Sequence, residues 1–178
     1  MLLREQQEAL AEIPEDAIAH VHSFDERTRE VAMRLVEDLK VAVPNSEVLH
    51  LGATKIGIAG ENDIDIGVIV HEDFDVAKRT ISSFFGEPIQ SDQTAKFARW
   101  TGSRDEHPVD LFLCAEITPR IQEFIDTQSV LEARGDLRSA FERLKFSFDG
   151  KSMKEYTKSK FEFFNSTVHP HGDPVALR

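Results

Sequence analysis

The chain has 178 residues, 40% of them hydrophobic, and a formal net charge of -11, so it is long enough for one domain, or one domain with a helical extension, around a sizeable core. Its acidic surplus disfavours tracking along a long nucleic acid, which needs lysine and arginine to neutralise successive phosphates. A single cysteine, Cys114, excludes an internal disulfide framework, and no apolar run reaches the length of a membrane span.

Met1-Leu2-Leu3-Arg4-Glu5 lacks the charge–apolar–small order of a signal peptide. A cytoplasmic protein with no membrane partner is therefore expected. Residues 2–12 read as a short helix ended by Pro14, and Pro14-Glu15-Asp16 as the start of a further turn running to His22. Ser23 or Asp25 is placed to cap the next helix, whose Val31, Leu35 and Leu39 recur every four residues and which stops before Pro44. A first strand over Glu47–Leu51 leads into a glycine-bearing turn, and a second strand follows over Ile64–Val70. Asp73 or Asp75 caps a helix through Phe85, stopped by Gly86.

Phe97–Thr101 reads as a third strand, Gly102–Pro108 as a charged connection, and Val109–Cys114 as a fourth strand. Cys114, at the end of that apolar run, reads as buried filler. Thr118-Pro119 marks a helix start, and helices near 119–133, 136–147 and 151–167 precede a turn-rich tail. Three or four strands with a helix between the second and third give a small mixed β-sheet with flanking helices and a C-terminal helical segment, an α/β (α+β) fold.

Chemistry concentrates where the first strand meets the glycine turn. Asp63 and Asp65 are two residues apart, so in a strand both carboxylates project to one face and could hold a divalent cation between them. Gly52, just after a strand, allows backbone N–H groups to approach a phosphate. Asp110 lies inside an apolar strand, where an unpaired carboxylate is costly, so it needs a metal, an arginine or solvent. A third acid beside two others repels them without a cation, which favours the metal.

Gly52-Ala53-Thr54 followed by Asp63-Ile64-Asp65-Ile66, with Asp110 on a later strand, resembles the signature of the polymerase-β-like nucleotidyltransferase superfamily. Within it the chain is most similar to the GrpB-like family, through the Gly-x-Thr turn, Leu144-Lys145 and Tyr156…Lys160-Phe161. Ala53 stands where the superfamily usually has a serine whose hydroxyl touches phosphate, so that contact is lost or passes to Thr54. GrpB-like turns usually read Val-Pro-Gly-Leu and then Lys-Pro before a single strand aspartate. Here Ile56-Gly57-Ile58 is shorter and Asn62-Asp63 fills the Lys-Pro place.

The resemblance implies a single nucleotidyltransferase-like domain over 1–178, with a catalytic sheet core at 24–116, C-terminal helices at 118–168 and a frayed tail at 169–178. It implies two Mg²⁺ (or Mn²⁺) ions held by Asp63, Asp65 and Asp110, and transfer of a nucleoside monophosphate from a triphosphate, ATP by expectation, to an acceptor hydroxyl. Gly52, Ala53 and Thr54 would cradle phosphates, with Lys55, Arg99, Lys145, Tyr156 and Lys160 adding contacts. Arg104 has the same option. The acceptor is a small molecule or a hydroxyl on a protein or RNA end, and the oligomeric state is open. His107 reads as a loop histidine and Phe161, Phe163 and Phe164 as core packing. Two other classes remain: a catalytically weak nucleotide-binding or regulatory domain, which the missing serine favours, and a partner-binding protein presenting its C-terminal helices.

Overall fold

A computed structural model describes residues 2–167, and the tail beyond them lies outside the described residues. The described chain divides into two compact units, one of residues 25–57 and 62–124 and the other of 2–24, 58–61 and 125–167.

The first unit is built on a four-stranded mixed sheet in the order β1-β2-β4-β3. β1 (Ser46–Leu51) runs antiparallel to β2 (Ile64–Val70), β2 parallel to β4 (His107–Cys114), and β4 antiparallel to β3 (Phe97–Arg104). Helix α2 (Glu26–Ala42) begins where the Asp25 side chain accepts from the Arg27 N–H at 3.0 Å, which settles the choice of cap. Its stripe of Val31, Ala32, Leu35 and Leu39 packs with Ile64, Ile66, Val68 and Val70 of β2, Leu111 of β4 and Trp100 of β3. Ala77 and Ile81 of α4 (Phe74–Phe85) join the same core. Burying a side chain of the Val, Leu or Ile class is worth about 1.5–3 kcal/mol, so this layer fixes which sheet face turns inward. By alternation, Asp65 and Gly67 of β2 and Asp110 and Phe112 of β4 take the opposite face.

The charged stretch 102–108 is a hairpin rather than a loop. β3 and β4 stay paired out to Arg104 and His107, joined by Asp105 and Glu106 at φ +48° and +69°. Two central residues with positive φ make the tight turn whose twist matches paired strands. Asp-Glu is not the Asn-Gly signal that would reveal such a turn in sequence. Arg34 of α2 pairs with Asp105 at 2.7 Å and Arg104 with Asp38 of α2 at 2.6 Å, holding the tip. His107 is therefore a strand residue, its Nδ1 3.2 Å from the Thr28 hydroxyl.

In the other unit, α1 (Arg4–Glu12) is followed by a turn in which the Ala17 N–H donates to the Pro14 carbonyl. The turn expected to run to His22 stops there and the chain becomes extended. The Ala19 N–H donates to the Lys151 carbonyl and the Ala19 carbonyl accepts from the Gly150 N–H, while His22 and Gly60 exchange backbone hydrogen bonds. These partners are distant in sequence, so no local signal announces them. Residues 119–124 of helix α5 (Pro119–Ala133) belong to the first unit and the rest of α5 to this one, with α6 (Gly135–Ser147) and α7 (Met153–Thr167); all three helices follow the expected spans. Phe141 lies 5.0 Å from Phe163 and 4.9 Å from Phe164, ring centre to ring centre, so the last two act as packing.

Candidate functional site

Asp65 and Asp110 are register partners across the parallel β2–β4 pair, so their carboxylates share one face. Asp63, one residue before β2, has the same parity in the chain. All three are part-buried. The chain enters this face through the glycine-bearing turn, which forms α3, a single helical turn over Gly52–Ile56. Gly52 sits at φ +77°, and a Cβ there would overlap the Asp65 carboxylate, with Asp65 Cγ only 3.2 Å away. Glycine is thus required twice, by its left-handed backbone and by a carboxylate laid against its Cα.

Thr54 is buried and its hydroxyl donates to the Asp63 carbonyl at 2.6 Å. The hydroxyl offered to phosphate by the sequence is used to tie the helical turn to the start of β2. Ala53 is part-exposed and Lys55 exposed. The Thr54 carbonyl accepts from Arg29 of α2 at 3.4 Å.

The sequence allowed Asp110 a metal, an arginine or solvent, and the structure gives it an arginine. Arg99 Nη2 lies 3.1 Å from Asp110 Oδ1 and 2.9 Å from Oδ2, and Nε lies 3.3 Å from Oδ1. Its Nη1 donates to Asp92 Oδ2 at 3.0 Å. Burial opposes the Arg99 charge, but Asp110 and Asp92 outweigh it and push the pKa above the ordinary arginine value. The pair is worth more than a surface ion pair, because both side chains are about a quarter exposed, 23% and 24%.

Arg120, in the first turn of α5, was not singled out from the sequence. Its guanidinium carbon lies 4.8 Å from the centre of the Phe112 ring, and that of Arg99 5.7 Å from the same ring. Arg120 is solvent-exposed as a residue, yet protein crowding around its head group and then the charge of Arg99 lower its pKa, while Asp110, Asp65 and Asp92 raise it. Sequence offered one hint, a cation directly after Thr118-Pro119, where the Ile121 N–H donates to the Thr118 hydroxyl at 3.4 Å. Among the described residues, no three His, Cys, Asp or Glu side chains converge closely enough to hold a metal ion.

Lys145, Tyr156 and Lys160 belong to the other unit, where the structure gives them partners of their own. Lys145 is buried and donates to the Ala59 carbonyl at 2.9 Å, while Glu142 accepts from the Ala59 N–H at 2.9 Å. Lys160 pairs with Glu61 at 3.4 Å and lies 4.1 Å from the centre of the buried Tyr156 ring. Together they hold the segment 58–61. Arg104, bound to Asp38, likewise has a structural partner.

With this geometry in place, comparison with known proteins identifies the family. A family model described as GrpB protein matches residues 18–169. The chain belongs to the GrpB family. The solved structure of conserved protein GrpB from Enterococcus faecalis is similar at 18% identity with a TM-score of 0.65, covering 85% of this chain and 98% of that one. A cytoplasmic RNA terminal U-transferase is similar at 12% identity and a TM-score of 0.50, over 79% of this chain and 42% of that one. At such identities the likeness shows the fold, which is that of the α+β nucleotidyltransferases. A comparison with curated proteins finds no match. No helix among the described residues of this GrpB chain is long and apolar enough to cross a membrane.

Proposed function

We propose that this GrpB chain binds a nucleoside triphosphate on the Asp65–Asp110 face and transfers its nucleoside monophosphate to an acceptor hydroxyl. The observation that carries this reading is the parallel register of Asp65 and Asp110, beside a glycine that lets the chain lie against Asp65. Mg²⁺ is commonly bound through one or two carboxylates plus substrate phosphates, so Asp63 and Asp65 suit one such ion without a preformed three-acid cage. That ion, or Mn²⁺ in its place, would supply charge neutralisation for the triphosphate and its leaving group.

The chain's own residues account for the rest. Arg99, Arg120 and Lys55 provide cations for phosphate oxygens, and the backbone at Gly52–Thr54 provides N–H donors beside Asp65. In the transfer, the acceptor oxygen bonds to the α-phosphorus, the α–β bridging P–O bond breaks, and pyrophosphate leaves with its electron pair. The hydroxyl proton passes to a base, for which Asp110 is the candidate once an Arg99 N–H has given way. ATP is the expected donor. A small molecule, or a hydroxyl on a protein or RNA end, is the expected acceptor, in the cytoplasm.

A second reading rests on the Arg99–Asp110 pair together with Ala53: a domain that binds nucleotide without transferring it. The test is a titration of the four ribonucleoside triphosphates with Mg²⁺ or Mn²⁺, for wild type and Asp65→Asn, alongside incorporation of α-labelled nucleotide into acceptor pools. Binding with incorporation supports transfer, and binding alone supports the second reading. No binding of any triphosphate refutes both.

A further inference from the structure

We propose that Arg99 holds the place at Asp110 that a second divalent cation takes in two-cation phosphoryl-transfer sites, so that this chain binds its nucleotide with one divalent ion. This rests on the nucleotide-binding reading above. Two-cation sites place ions about 3.5–4 Å apart and share carboxylates between them. Here both oxygens of the third strand acid already accept from one guanidinium, whose remaining Nη bonds a further carboxylate, Asp92.

The placement follows from the sheet. Thr101, not Arg99, is the register partner of Asp110 across the β3–β4 pair, and Arg99 faces Phe112. Arg99 reaches Asp110 diagonally, a distance that suits a long side chain, and its guanidinium approaches the Phe112 ring. Asp92 closes a 3-10 turn over Gln90–Asp92, and the Ile89 N–H just before that turn donates to the Arg99 carbonyl at 2.8 Å. The fork is therefore gripped at its head by two acids and along its backbone by the strand and the turn. The cation that repulsion between strand acids calls for is already present, and it cannot be lost by deprotonation.

A divalent ion at Asp110 would have to expel this guanidinium from a part-buried carboxylate while Asp92 still holds its Nη1. Wild-type protein is accordingly expected to retain one Mn²⁺ per bound nucleotide. Replacing Arg99 with methionine, which keeps the apolar stem and removes the fork, opens Asp110 and should tighten a second ion by about tenfold or more.

The experiment counts bound Mn²⁺ by electron paramagnetic resonance in the full chain saturated with a non-hydrolysable ATP analogue. Wild type, Arg99→Met and Asp110→Asn are compared, with circular dichroism confirming that each is folded. One ion in wild type and in Asp110→Asn, and two in Arg99→Met, is the expected result. Two ions in wild type, one of them abolished by Asp110→Asn, overturn the inference while leaving the nucleotide-binding reading intact. Failure to retain nucleotide at all overturns that reading and the inference with it. Should Arg99→Met not fold, the wild-type and Asp110→Asn counts decide the matter by themselves.

Discussion

Replacing Gly52 with alanine separates two costs that the structure assigns to one atom. The first is backbone: at φ +77° an L-residue is strained, by about 1–2 kcal/mol. The second is contact, because the new Cβ overlaps the Asp65 carboxylate and must turn it out of its rotamer, at about 0.5–1.5 kcal/mol. Together Gly52→Ala should destabilise the protein by about 1.5–3.5 kcal/mol, and each kcal/mol lowers Tm by about 2–4 °C in a chain of this size. Trp100 is the single tryptophan and is buried in the sheet, so its fluorescence in urea reports on the unit that carries the site. The contact term is isolated by repeating the change in an Asp65→Ala background, where Gly52→Ala should cost about 1–2 kcal/mol, the backbone part alone. Equal cost in both backgrounds would refute the claim that the carboxylate lies against Gly52. A cost near zero in both would refute the left-handed turn itself.

Thr54→Val removes the donor to the Asp63 carbonyl and should cost about 1–3 kcal/mol, read from urea denaturation; an unchanged midpoint would show that this hydrogen bond is not formed. The buried Nε2 of His50 has no hydrogen-bond partner among the described residues. Burial first, then Lys55 and Arg29, lowers the His50 pKa from 6.5 to about 4. The folded state therefore resists a proton that the unfolded chain accepts, so this contribution to stability is complete above pH 6.5 and is lost as pH falls toward 4. Relative to His50→Gln, wild type should lose up to about 3 kcal/mol across that window, and parallel declines in the two proteins would remove His50 as the cause. Burial pushes the Cys114 thiol up to about 11, so native protein at pH 8 should resist alkylation while urea-unfolded protein takes one label; rapid native labelling would place the thiol at the surface. Long single- or double-stranded RNA and DNA should bind no better than weakly at moderate salt, and micromolar binding that falls steeply with salt would contradict this reading of the charge.

What the sequence determined by itself was local. Spacing put Asp63 and Asp65 two residues apart, the run 64–70 announced a buried strand, Ser23 and Asp25 sat where a cap belongs, and Gly52 marked a turn. Each is decided by neighbours within a few positions, through backbone dihedrals, side-chain period and capping. The resemblance that these residues carry extended the reading to the family and to the fold.

Only tertiary structure decided how distant segments share hydrogen bonds and charges. The parallel register that sets Asp65 beside Asp110, the hairpin that turns 102–108 into strand, and the extended segment near Ala19 all rest on partners far along the chain. So do the positive charges. Arg99, Lys145 and Lys160 are alike in sequence, each a long cation able to reach a phosphate. Folding gives Arg99 to Asp110 and Asp92, Lys145 to the Ala59 carbonyl, and Lys160 to Glu61. A flexible cationic side chain takes whichever carboxylate or carbonyl the fold brings within reach, and that choice is made by the packing of elements rather than by the residues beside it.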